Sequence, residues 1–191
     1  MTRLGIIRHG STQWNKERRA QGSSDIPLDE EGKREAEKLA SRLAEEQWDR
    51  IYTSPLSRAS ETARIIQEQL QVPLVEDARL VEVGGGQVEG TTEEERIEKW
   101  GPDWRDLDLG AERKEQFLHR GKQFVEDMLV HHKGEKILVV SHGALISHLI
   151  RDLIEGDVLD GHIHNTSISE IVDSTGRWSL ETFNCVEHLE F

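Results

Sequence analysis

The chain has 191 residues, with 24 Lys and Arg against 37 Asp and Glu, and its formal net charge at pH 7 is −13. This length suits one domain, predicted over residues 1–191, and the negative charge argues against nucleic acid or an anionic membrane as a partner. A single cysteine excludes an internal disulfide, and no apolar run is long enough to span a bilayer, so we expect a cytoplasmic protein.

The first half of the chain predicts strands that alternate with helices. Residues 4–7 form a continuous apolar run, typical of a strand that is buried on both faces. Apolar residues at helical spacing predict a helix over 32–46, with Asp29 as its N-cap. A short strand is predicted over 51–53, followed by a helix whose N-cap is Ser54.

The second half begins with a segment, residues 84–112, in which Gly, Trp and charged residues mix without a clean period. We expect a loop-rich lid there, with a short helix over 93–100. Apolar patterns then predict a helix over 117–129, a strand over 137–140, a helix over 144–154, and a hairpin of strands over 168–172 and 178–183. Alternating strands and helices predict a layered α/β fold with a mostly parallel sheet.

Both buried apolar strands end in the dipeptide His-Gly. His9 and Gly10 follow the first, and His142 and Gly143 follow the second. Ligands of open α/β sheets bind beyond the carboxyl ends of the strands, where helix N-termini also point amides at anions. We therefore expect the two imidazoles to converge on one ligand, with the backbone of Gly143 able to approach it closely.

Two arginines belong to the same predicted edge of the sheet. Arg8 precedes His9, and Arg58 lies in the first turn of the helix after the strand over 51–53. Guanidinium groups match phosphate oxygens and stay charged at any working pH, so this pair predicts a phosphoryl clamp. A neutral imidazole is a competent nucleophile, whereas a hydroxyl would need a separate base. His9 is the best-placed nucleophile because it adjoins Arg8.

A poor alkoxide leaving group needs a proton as it departs, so a carboxylic acid is expected beside the phosphate. Glu82 and Glu89 are the local candidates, and they flank the glycine-rich connection over 83–88. The residue pattern by itself leaves both open.

These residues resemble the histidine phosphatases, also called the phosphoglycerate-mutase-like superfamily. The resemblance rests on collinear motifs: Arg8-His9-Gly10, Thr12, Trp14, Asn15, Gln21-Gly22, Asp25, Pro27-Leu28, Gly32, Thr53 to Ala59, Glu61 to Ala63, Leu80 to Glu82, Glu89-Gly90 and Ser141-His142-Gly143. It implies a three-layer α/β/α sandwich that uses no metal or other cofactor. It also implies that His9 becomes phosphorylated, Arg8 and Arg58 hold the phosphate, His142 supports the transferring group, and Glu82 donates the proton. Further residues would lie near the phosphate or substrate, namely Asn15, Thr12, Gln21 and Gly22.

The resemblance favours a phosphomonoester phosphatase that acts on small phosphorylated metabolites, like the short broad-specificity bacterial phosphatases. Mutases of the family are longer and carry an inserted arginine pair, whereas the adjacent pair in this chain, Arg18 and Arg19, comes much earlier. A phosphoglycerate mutase is the first alternative. A noncatalytic sensor of phosphorylated ligands is the second, because Ser11 and Val88 depart from the family pattern.

His162 and His164 alternate in a way that superficially suggests a metal site. A zinc site needs further ligands, and none is evident nearby in the sequence, so no metal is predicted and a metal-dependent phosphatase is the least favoured alternative. The expected partner is a small phosphorylated substrate. No sequence pattern predicts an oligomer.

Overall fold

A twisted sheet of six strands organises the computed structural model, which describes residues 1–154 and 161–190. The strands are β1 (Arg3–Arg8), β2 (Arg50–Thr53), β3 (Leu74–Glu76), β4 (Lys136–Ser141), β5 (Ile168–Ser174) and β6 (Arg177–Cys185). Their order is β3-β2-β4-β1-β5-β6; the first four are parallel, and β5 and β6 are antiparallel. The mostly parallel sheet is therefore confirmed.

The described residues form six α-helices, four of which pack on the faces of the sheet. They are α1 (Gln13–Lys16), α2 (Glu30–Leu43), α3 (Ser57–Leu70), α4 (Glu93–Trp100), α5 (Lys114–His131) and α6 (Gly143–Leu153). Leu4 and Ile6 of β1 pack with α5 and α6 on one face, whereas Ile7 packs with α2 and α3 on the other. Burial on both faces explains the continuous apolar runs of the central strands and confirms the three-layer sandwich.

The start of α3 differs from the sequence-based expectation. Ser54 is not its N-cap: the helix begins at Ser57, and the N-cap position belongs to Leu56, whose side chain forms no capping hydrogen bond. The carboxylate of Asp25 caps the helix instead, since it accepts hydrogen bonds from the amide and the hydroxyl of Ser57, each at 2.7 Å. The hydroxyl of Ser54 lies 2.8 Å from Nε2 of His142 and accepts the amide of Leu56, which precedes the helix, at 3.3 Å.

The N-terminus of α2 packs against the loop that follows β1. Asp29 caps it as predicted, with Oδ1 accepting the amide of Gly32 at 2.8 Å. Gly32 has no room for a side chain, because an added Cβ would lie 2.2 Å from the carbonyl oxygen of Ser11. A Cβ on Gly10 would lie 2.5 Å from the carbonyl oxygen of Gly32. The absence of both side chains lets α2 approach the chain immediately after His9.

The predicted helix over 93–100 is confirmed as α4, and short 3-10 turns at Gly86–Val88 and Trp104–Asp106 lie on either side of it. The C-terminal hairpin is also confirmed, with strands longer than predicted and a turn in which Thr175 and Gly176 have φ values of 64° and 85°. Across the described ranges, no helix combines the length and apolarity that crossing a bilayer requires.

Gly32→Ala should destabilise the protein, although glycine to alanine in a helix usually stabilises by about 0.5–1 kcal/mol. The new methyl group would overlap the backbone of Ser11, and overpacking of this kind costs roughly 1–3 kcal/mol. Denaturant unfolding measures the change. Ser41→Ala, on the exposed side of the same helix, is the matched control and should be neutral or slightly stabilising. A gain in stability for Gly32→Ala would contradict the packing described.

Candidate active site

The ends of three parallel strands bring the predicted site together. β1 and β4 pair in a register that sets Arg8 beside Ser141, and the amide of His9 then donates to the carbonyl of Ser141 at 3.0 Å. On the other side of β4, the amide of Ser54 donates to the carbonyl of Val140 at 3.0 Å. As a result the rings of His9 and His142 lie with centroids 5.2 Å apart.

A cavity of about 730 Å³ opens at this edge of the sheet. The predicted residues that line it are Arg8, His9, Asn15, Gln21, Gly22, Arg58 and Glu82, and the additional ones are Trp14, Arg18, Arg19, Ala20, Arg96, His162 and Asn165. Gly143 lines a neighbouring cavity of about 290 Å³ that also touches Arg8 and Glu82. Thr12 lines neither cavity; it is fully buried and caps α1, where its hydroxyl bonds Asn15.

Three side-chain amides contribute to this wall, those of Asn15, Gln21 and Asn165, and of these Gln21 is buried. Oδ1 of Asn15 accepts from the amide of Thr12 at 3.1 Å and lies 3.3 Å from Nδ2 of Asn165, which also donates to the carbonyl of His9 at 3.0 Å. Oε1 of Gln21 is buried and has no hydrogen-bond partner among the described residues. Asn165 therefore links Asn15 to His9.

His9 has a defined tautomer. Its Nδ1 lies 2.7 Å from the carbonyl oxygen of Gly10, which can only accept, so Nδ1 carries the hydrogen and Nε2 keeps its lone pair. Burial lowers the pKa of His9 well below its ordinary value, and the charges of Arg8 and Arg58 lower it further. His9 is therefore a neutral imidazole whose unprotonated nitrogen is Nε2.

His142 is buried beside His9, and its hydrogen bond to Ser54 determines which of its ring nitrogens carries the hydrogen. Its Nε2 lies 2.8 Å from Oγ of Ser54, and that hydroxyl accepts the amide of Leu56 at 3.3 Å, which leaves its own hydrogen to donate. The hydrogen of His142 is then on Nδ1, which has no partner within the described part of the chain. Burial, and next the proximity of His9, hold the pKa of His142 well below its ordinary value. His142 thus offers a neutral N–H donor.

Arg8 is anchored from the C-terminal half of the chain. Its Nη1 donates to the carbonyl of Ile163 at 2.5 Å and lies 2.9 Å from Nε2 of His162, while its buried Nε has no partner in residues 1–154 and 161–190. Burial lowers the pKa of Arg8, partly offset by the charges of Glu82 and Glu35. His162 was considered from the sequence only as a metal ligand; the structure places it against this arginine, a contact that local sequence spacing does not indicate.

Arg58 is fully buried, although it lies in the first turn of a surface helix. Its Nη1 donates to the carbonyl of Ser24 at 2.6 Å and its Nη2 to the carbonyl of Gly22 at 2.7 Å. Its Nε, like that of Arg8, is buried and unpaired among the described residues. Burial lowers the pKa of Arg58 to about 10, so it is charged at neutral pH.

Glu82 reaches the cavity from the connection after β3. Its Oε2 accepts the amide of Ala144 at 3.1 Å, and its Oε1 accepts the amide of Leu145 at 3.0 Å, so the carboxylate lies at the N-terminus of α6. Arg120 of α5 supports this connection, because it donates to the carbonyl of Val81 at 2.6 Å and to that of Glu82 at 3.2 Å. Sequence reasoning missed Arg120, which lies in a helix without a recognisable motif.

Glu89 occupies a different position and does not line either cavity. Its Oε1 accepts the amides of Ser23 at 2.8 Å and Gly85 at 2.9 Å, and its Oε2 accepts the hydroxyl of Ser24 at 2.5 Å. Burial opposes ionisation, yet these hydrogen bonds lower the pKa of Glu89 overall. Glu89 therefore joins the glycine-rich connection to the loop that holds Arg58.

The combined arrangement suits an anion with several acceptor oxygens. Arg8, Arg58 and His142 each keep one buried N–H without an acceptor in the described structure. Arg8 and Arg58 line the cavity, where guanidinium groups suit the oxygens of a phosphoryl group, whereas His142 lines neither cavity. A nucleophilic nitrogen on His9 and a carboxyl group on Glu82 adjoin the same space, so the cavity holds what phosphoryl transfer to imidazole requires.

Comparison with known proteins gives concordant matches. Residues 4–186 match the histidine phosphatase superfamily (branch 1). The chain is 34% identical over 191 residues to the uncharacterized phosphatase PhoE of Bacillus subtilis (strain 168), covering 99% of this chain and 97% of that protein. Bacillus stearothermophilus YhfR superimposes with a TM-score of 0.89 at 31% identity over 100% of both chains. A mycobacterial glucosyl-3-phosphoglycerate phosphatase in complex with VO3 gives a TM-score of 0.85 at 27% identity, covering 96% of this chain and 99% of that one.

The two buried neutral histidines predict a loss of stability in mild acid. Below about pH 6.5 the unfolded chain binds protons at His9 and His142 that the folded chain does not, so the free energy of unfolding falls as the pH decreases. Denaturant unfolding between pH 8 and pH 5 measures this slope. His9→Asn should make this slope shallower than that of the wild type. Identical slopes in the wild type and His9→Asn would contradict the assignment.

Proposed function

The chain belongs to branch 1 of the histidine phosphatase superfamily, and we propose that it hydrolyses phosphomonoesters of small metabolites through a phosphohistidine on His9. The observation that carries this proposal is the state of His9: a buried neutral imidazole with Nδ1–H bonded to Gly10 and Nε2 unprotonated. The nearby side chains of Arg8 and Arg58 supply the positive charge that a phosphoryl group needs.

In the first step, Nε2 of His9 attacks phosphorus and the bond from phosphorus to the ester oxygen breaks. The Nε groups of Arg8 and Arg58 and the Nδ1–H of His142 donate to the phosphoryl oxygens, where negative charge is concentrated. Glu82 acts as the general acid: a proton passes from its carboxyl group to the departing oxygen, which leaves as an alcohol. The products are phosphohistidine and a carboxylate on Glu82.

In the second step, water attacks the phosphohistidine. Glu82, now a carboxylate, accepts a proton from that water, and the bond from phosphorus to Nε2 of His9 breaks. Phosphate leaves, and the enzyme regains its starting protonation. Each step uses only side chains of this chain, so turnover is proposed to be independent of metal.

Arg96, from the predicted lid over 84–112, lines the cavity, which supports a role for that segment in substrate selection. The free thiol of Cys185 suits a reducing compartment such as the cytoplasm.

His9→Ala should abolish hydrolysis of p-nitrophenyl phosphate, because it removes the nitrogen that is proposed to accept the phosphoryl group. The wild type should retain its activity in excess EDTA, and release of p-nitrophenol measures both. Activity that disappears with EDTA and returns on adding metal would contradict the metal-independent mechanism. Faster conversion of 3-phosphoglycerate to 2-phosphoglycerate than phosphate release would favour the mutase alternative instead.

Glu82→Gln should slow hydrolysis of an alkyl ester such as glycerol 3-phosphate by roughly 10²- to 10⁴-fold, because alkoxide needs a proton to leave. With p-nitrophenyl phosphate, the rate of the first step should fall much less, because nitrophenolate leaves without being protonated. Burst kinetics of p-nitrophenol release measure the rate of that step.

Glu89→Gln is the matched control for this experiment. This substitution weakens the hydrogen bonds of Glu89 to Ser24 and Gly85 and should slow hydrolysis of both substrates by similar factors. A leaving-group dependence that appears in Glu89→Gln and is absent from Glu82→Gln would transfer the acid role to Glu89.

A further inference from the structure

More arginine side chains line the cavity than are needed to bind one phosphoryl group. The arginines that line it are Arg8, Arg18, Arg19, Arg58 and Arg96, and the carboxylate that lines it is Glu82. This concentration of cations is notable in a chain with a net charge of −13. At about 730 Å³ the cavity also has the size of a site for a whole metabolite rather than for phosphate alone.

Two of the outer arginines are already engaged by the protein. Arg19 forms a two-point ion pair with Glu95, at 2.7 and 2.9 Å, and also donates to the carbonyl of Gly90 at 2.6 Å. Arg96 donates to the carbonyl of Thr91 at 2.9 Å and stacks on Trp104 with its guanidinium carbon 4.9 Å from the ring centroid. Both therefore brace the cavity wall, and few of their donors remain for a ligand.

Arg18 is different. Its side chain is exposed at the rim and forms no hydrogen bond or ion pair with any residue in the described ranges. Glu94 attracts it electrostatically but makes no ion pair with it there. Because Arg8 and Arg58 face the transferred phosphoryl group, Arg18 is the arginine of this lining whose donors are available to a second anion.

The backbone at Arg18 is unfavourable for arginine. The amide of Arg18 donates to the carbonyl of Asn15 at 3.1 Å, and the amide of Arg19 donates to that of Trp14 at 2.9 Å, which together form a Schellman motif at the end of α1. Arg18 has φ of 57°, in the left-handed region where glycine is the usual residue. Local stability therefore favours glycine at this position, so the arginine side chain needs another explanation.

We propose that Arg18 binds a second anionic group on the substrate, a carboxylate or a phosphate remote from the transferred phosphoryl group. The site would thereby select phosphomonoesters that carry two anionic groups. A guanidinium with free donors suits this role because it bonds either group through paired N–H contacts. The inference rests on the proposed function, since it assumes that the phosphoryl group lies between Arg8 and Arg58.

Arg18→Gly tests the proposal, since it removes the guanidinium and relieves the strained backbone. Binding is measured by calorimetry in the His9→Ala background, so that the result does not depend on turnover. 3-Phosphoglycerate and glycerol 3-phosphate form the carboxylate pair, and fructose 1,6-bisphosphate and fructose 6-phosphate form the phosphate pair. We expect Arg18→Gly to raise Kd about tenfold for the doubly anionic member of at least one pair, with little change for the other member.

Gln71→Gly is the matched control. Gln71 ends α3 in the same left-handed conformation, with φ of 56°, and is exposed away from the cavity. It should leave all four Kd values unchanged, and Arg18→Gly should not lower the melting temperature. The pair that responds identifies the second anion as carboxylate or phosphate.

Equal changes in Kd for both members of each pair, or none, would overturn the Arg18 proposal. Failure of the proposed function is distinguishable, because it would appear as absent hydrolysis of every ester by the wild type, whatever the binding preference at Arg18.

Discussion

The parallel register of β1 and β4 aligns Arg8 with Ser141, and the position of both histidines depends on this alignment. It sets His9 and His142 side by side beyond the ends of two buried strands, where the chain turns into a loop and a helix. The glycines after both histidines allow sharp backbone turns, and Gly32 packs against the loop that follows His9 and restricts its position. A shift of either strand by one residue would reverse its side chains and separate the pair.

Burial then determines the chemistry of these groups. Burying two arginines would cost much free energy if they were unsupported, but backbone carbonyls accept hydrogen bonds from their terminal nitrogens. The loss of solvent on burial, and then the neighbouring charges, hold the pKa of both histidines low and keep them neutral. The buried arginines therefore supply positive charge beside an imidazole that stays unprotonated. This arrangement gives an acidic chain a locally positive cavity that suits a phosphorylated substrate.

Much of the site could be predicted because its main residues follow strand ends or helix starts in recognisable order. His9 and His142 are of this kind, and the sheet they imply is the one observed. Long-range support could not be predicted: Arg120 holds the Glu82 connection from α5, and His162 contacts Arg8 across the fold. β3, with three residues, is too short to show a period, and the capping of α3 by a distant carboxylate has no local signal.

The most direct test is to locate the phosphate on the protein during turnover. Rapid quenching in alkali preserves phosphoramidates, and mass spectrometry with ³¹P NMR then identifies both the residue and the ring nitrogen. Because Nδ1 of His9 is held as N–H by Gly10, the account predicts phosphate on Nε2 of His9. Phosphate on Nδ1 or on another residue, or turnover with no phosphorylated protein at any time point, would contradict it.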